Sequence, residues 1–138
     1  MGFFDKANNS FKSFSDQTSS KMKESEQINK VKSQIRDEEK KVAENKKTIA
    51  DEFILYIEDN DEAHMDKMKE LAKEAVEAQK KIEELNQQVE DIKAQGHEER
   101  EQIRADEAAK NAEIDAKEAE ARAAREKEKA EAANKNSE

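Results

Sequence analysis

A chain of 138 residues in which 44% are charged and only 33% apolar cannot bury the core of a large globular domain. Proline is absent and glycine occurs only at Gly2 and Gly96, so helix breakers are missing over almost the whole length and the expected class is all-α. The formal charge of −9 is unevenly placed, with +2 over residues 1–23 and −11 over the rest, and an acidic chain without a basic stripe argues against nucleic acid as a partner.

The first element is an amphipathic helix over residues 1–23. Phe3, Phe4, Ala7, Phe11, Phe14, Thr18 and Met22 fall within an arc of about 100°, the width of a one-sided apolar stripe. The opposite face carries Asn8, Asn9, Ser10, Ser13, Ser15, Ser19 and Ser20, with Lys6, Lys12, Lys21 and Lys23 scattered against Asp5 and Asp16. Such a helix needs an apolar surface to lie on, and Phe3, Phe4, Phe11, Phe14 and Met22 are the expected contacts with a membrane or a partner. No continuous hydrophobic region marks a secretory signal, and Lys6 stands where a myristoylation motif at Gly2 would have Ser or Thr.

The second element is a long antiparallel coiled-coil hairpin over residues 24–95. Ile28, Ile35, Val42, Ile49 and Tyr56 recur every seven residues, with Val31 and Phe53 beside them; Met68, Leu71, Ala75, Ala78, Ile82, Leu85, Val89 and Ile92 form a second run. Between the runs lies the acidic stretch 58–62, the expected turn, in which Asp59 or Asp61 caps the following helix. A reversal there pairs residues whose numbers sum to about 120, setting Ile28 against Ile92, Val31 against Val89, Ile35 against Leu85, Val42 against Ala78, Asn45 against Ala75, and Phe53 against Met68. Each arm is then about 51 Å long. Phe53, Ile54, Leu55, Tyr56 and Ile57 are apolar on every side of the helix, so the pairing predicts a third surface over them: the N-terminal helix, a second copy of the chain, or another protein.

The third element, residues 96–138, is an extended helix rich in Ala, Glu and Lys. An eleven-residue spacing links Ile92, Ile103 and Ile114, and Ala108, Ala119 and Ala130. The second hairpin helix is expected to run through Gly96, whose cost of about 1 kcal/mol is too small to break so strong a helical context. The tail is expected to be solvated and easily frayed, with residues 131–138 disordered.

Nothing in the sequence supplies a reaction or a small-molecule substrate. There is no cysteine, one tyrosine, and two histidines, His64 and His97, far apart in the chain. Asp61 and His64 share the i, i+3 spacing of a di-iron carboxylate and histidine pair, but the motif occurs once and at a turn; a solvated capping role is expected there, with no metal and no cofactor. The missing cysteines also exclude a disulfide framework and are compatible with a cytoplasmic location.

The opening Met1-Gly2-Phe3-Phe4-Asp5-Lys6, with Lys32-Ser33-Gln34-Ile35-Arg36-Asp37-Glu38-Glu39-Lys40-Lys41 and Lys80-Lys81-Ile82-Glu83-Glu84-Leu85, resembles an uncharacterised family of small bacterial helical proteins. Members of that family usually end in a zinc ribbon with paired CxxC motifs. This chain has no cysteine from His97 onward, so zinc binding does not carry over. In layout, an amphipathic helix followed by a helical hairpin, the chain is similar to the phage-shock protein A group, a resemblance that implies polymerisation and work at the inner face of bacterial membranes. The Ala/Lys/Glu tail resembles late-embryogenesis-abundant repeats in composition.

Together these observations lead to the expectation of a non-enzymatic coiled-coil adaptor or scaffold that binds a membrane surface peripherally through its N-terminal helix. A self-assembling homo-oligomer, with Phe53, Ile54, Leu55, Tyr56 and Ile57 as its contact, is the alternative. A hydrophilic stress-protection protein is a third reading, ranked below both because the heptad runs favour helix in dilute solution.

Overall fold

The computed structural model describes residues 2–137 and contains two α-helices, α1 (Gly2–Asp59) and α2 (Glu62–Asn136), with no strand among the described residues. The all-α expectation holds. The N-terminal segment is the beginning of α1 rather than a separate helix, because nothing between Met22 and Ile28 interrupts it. Likewise α2 runs through Gly96.

The turn is two residues long. Asn60 adopts a left-handed φ of 57° and donates its N–H to the Tyr56 carbonyl at 2.8 Å, the device by which Asn closes a helix C-terminus. Asp61 then caps α2, its carboxylate accepting the Ala63 N–H at 3.0 Å.

The chain forms two compact units. In the first, residues 23–95, Val31, Ile35, Leu85 and Val89 make a buried cluster with Ile28, Ile82 and Ile92 packed against it. These are the residues the pairing rule sets opposite one another. Val42, Ala75 and Ala78 continue the seam as smaller buried side chains, and Asn45 fills the thin stretch by donating to the Leu71 carbonyl at 3.1 Å and to Glu74 at 3.2 Å.

One pairing is corrected. Met68 is buried, but Phe53 is 50% exposed and Glu52 takes the inward position instead. Alternating steps of three and four from Asn45 and Ile49 arrive at Glu52 and Tyr56, so Phe53 lies one place off the seam.

In the second unit, residues 2–22 of α1 pack against α2 beyond residue 96. The inward positions are Gly2, Lys6, Asn9, Ser13, Gln17 and Ser20, facing Ile103, Glu107, Asn111 and Ile114. The tail is therefore partly engaged rather than wholly solvated. Of residues 131–138, expected to be disordered, 131–136 are helical, α2 continuing to Asn136 on Ala, Glu and Lys with no breaker after Gly96, while Glu138 lies outside the described residues. From residue 119 on, every described side chain is exposed.

Candidate functional surfaces

Residues 2–22 are held by their polar face. Lys6 pairs with Asp115, Asn9 donates to Asn111 at 3.3 Å, Ser10 donates to Glu107 at 2.8 Å, and Arg104 Nε donates to Gln17 at 3.2 Å. The hydroxyls of Ser13 and Ser10 hold the Glu107 carboxyl below the usual glutamate range, and the hydrogen bond to Asp115 holds Lys6 above its usual value. Ser13 and Ser20 are buried, and small side chains there let the two backbones approach closely. At Gly2 a side chain would occupy the place of the Glu118 carboxylate.

Because the seam is built from the serine and asparagine face, the aromatic stripe points the other way. Phe3, Phe4, Phe11, Phe14 and Met22 are between 62 and 77% exposed. Phe3 and Phe4 meet edge to face with ring centres 5.8 Å apart. At about 100° per residue these five positions share one side of α1. No helix among the described residues is long and apolar enough to cross a membrane.

The second apolar group lies before the turn. Phe53, Ile54, Leu55 and Ile57 are exposed, while Tyr56 is half-buried with its hydroxyl 3.4 Å from Glu62.

Beside it sits an ionic cluster that sequence reasoning missed. Buried Glu52 meets His64 Nδ1 at 2.6 Å and accepts from Lys67 Nζ at 2.9 Å, and His64 Nε2 lies 3.3 Å from Asp59. His64 is thus a bridging residue rather than a solvated one; only Asp61 caps. The available signal was the seam spacing itself, which puts an acid at position 52 opposite the start of α2. No group of three or more His, Cys, Asp or Glu residues among those described is placed to hold a metal.

The hydrogen bond to Glu52 raises the His64 pKa, and the hydrogen bonds from His64 and Lys67 lower that of Glu52. A raised histidine contributes stability that is full below its ordinary value of about 6.5 and is lost as pH rises through the folded-state value. The lowered glutamate contributes above its ordinary value of about 4.3 and is lost as pH falls. Thermal unfolding should therefore show a plateau of stability between those limits and a decline on the alkaline side. His64→Ala should flatten the alkaline decline and also reduce the acid one, since Glu52 then keeps only its hydrogen bond from Lys67.

Compared with family models, with curated proteins and with solved structures, the chain matches none. The class that the fold defines is an all-α helical hairpin.

Proposed function

We propose that the protein is a non-enzymatic coiled-coil adaptor that attaches peripherally to a membrane surface through the stripe of Phe3, Phe4, Phe11, Phe14 and Met22. The observation that carries this reading is the choice of seam. The chain spends Gly2, Ser13 and Ser20 on internal packing and leaves four phenylalanines to solvent.

Full burial of four Phe side chains contributes roughly 6 to 12 kcal/mol. A free Ser/Asn-rich helix of this length would lose several kcal/mol of that to ordering. Here the segment is already helical and braced by the contacts to residues 104–115, so less is lost on binding. Electrostatics adds little. The segment carries four lysines against two aspartates, and Lys6 is engaged with Asp115. Lipid-packing defects, rather than anionic headgroups, are then the attraction.

The test is flotation of the full chain with small and large zwitterionic vesicles at low and high salt. The protein should float with small vesicles better than large ones, and salt should change the bound fraction only slightly. Absence from the floated fraction, or loss of binding on adding salt, contradicts the reading.

A further inference from the structure

The residues before the turn form a stripe that the hairpin does not use. Ala43, Lys47, Ala50, Ile54 and Ile57 alternate in steps of four and three, the spacing of a coiled-coil seam, and all five are exposed. They lie about 140° around α1 from the seam of Val42, Asn45, Ile49, Glu52 and Tyr56. Ile54 is 58% and Ile57 65% exposed, with Phe53 on the flank. A second seam on one helix needs a second helix.

Charge identifies that helix. From Asp51 to Glu62 the chain has six acidic residues, Asp51, Glu52, Glu58, Asp59, Asp61 and Glu62, and no basic one. Lys46 and Lys47 stand just before, exposed. If α1 of a second copy lies antiparallel on the stripe, its layers are Lys47 on Ile57 and Ala50 on Ile54, each formed twice by two-fold symmetry. The same register sets Lys46 of each copy beside Glu58 of the other. In that register the stripe sets small Ala50 against large Ile54 and lysine beside glutamate, so it complements itself in residue size and in charge, the requirement of an isologous contact. In the parallel arrangement Lys47 would face Lys47 and Glu58 would lie beside Glu58. A lipid surface does not fit, since the acidic end would be pressed against headgroups.

We infer that the protein forms a two-fold antiparallel dimer through the Ala43, Lys47, Ala50, Ile54 and Ile57 stripe of α1. This surface is distinct from the phenylalanine stripe, and the inference does not rest on membrane binding.

The experiment is sedimentation equilibrium of the full chain over a concentration series, with circular dichroism as a check that helicity is kept. The intact protein should fit a monomer–dimer equilibrium. Ile54→Lys with Ile57→Glu should be monomeric with unchanged helicity, since neither side chain packs inside the hairpin. Lys46→Glu alone and Glu58→Lys alone should each weaken the dimer severalfold, and mixing those two variants should recover a heterodimer through the reversed pair. Phe11→Glu with Phe14→Glu should dimerise like the intact chain. A monomeric intact protein overturns the inference, as does a dimer that survives the Ile54 and Ile57 changes or is lost in the Phe11 and Phe14 variant. A mixture of the two charge variants that associates no better than either alone overturns the antiparallel register.

Discussion

Replacing Phe11 and Phe14 together by glutamate should reduce the membrane partition coefficient read from vesicle flotation by 100-fold or more, on the order of 3 kcal/mol, while helix content and the thermal midpoint stay within error of the intact protein. The two halves of that expectation come from one fact. Both side chains are more than two-thirds exposed, so the folded chain makes little use of them and a charge there meets only water. On a lipid surface the same positions lie at the centre of the stripe, where losing two aromatic rings and burying two carboxylates act in the same direction. A variant that still floats would show that lipid is contacted by another face. A variant that unfolds would show that the stripe is packed internally, contrary to the structure.

The converse holds at Leu85. It is 4% exposed at the centre of the cluster formed with Val31, Ile35 and Val89, so Leu85→Ala should destabilise the protein by about 2 to 5 kcal/mol. The rest of the seam has little reserve. Beyond this cluster the buried apolar side chains among the described residues are Val42, Ala75, Ala78 and Met68, so the loss falls on the best-packed layer of residues 23–95. Urea unfolding followed by circular dichroism at matched concentration should show a lower midpoint with a similar slope. A change under 1 kcal/mol would mean that the Ile and Leu layers are not what holds the hairpin.

These two sites also mark what was legible in the sequence. Ile28, Ile35, Val42, Leu85 and Val89 announce themselves because a heptad of large apolar residues among charges has one economical packing, and the only acidic turn between the two runs fixes the register. The register then reaches further than apolar residues do. Asn9 with Asn111, and Gly2 with Glu118, obey the same pairing, yet Ser, Asn and Gly have no hydrophobic period by which they could be chosen. Hydrophobicity drew attention to the phenylalanines, whereas the chain packs through the face opposite them. Glu52 was hidden for a related reason: a carboxylate on a seam reads as an error in the pattern until His64 and Lys67 are seen to satisfy it. Phe53, its apolar neighbour, took the place that alternating steps of three and four assign to Glu52.

The polar seam that secures residues 2–22 has a consequence in time as well as in space. Its hydrogen bonds and its Lys6–Asp115 pair are contacts that water replaces at small net cost, unlike the burial around Leu85. Backbone amides of residues 6–20 should consequently exchange with deuterium through local opening, well ahead of those near Val31 and Val89, whose exchange awaits the opening of the apolar cluster. The segment bearing the aromatic stripe is thus expected to open as a cooperative unit of its own, releasing and reseating its turns while the apolar cluster stays closed, and early deuteration confined to residues 6–20 is the result that checks this.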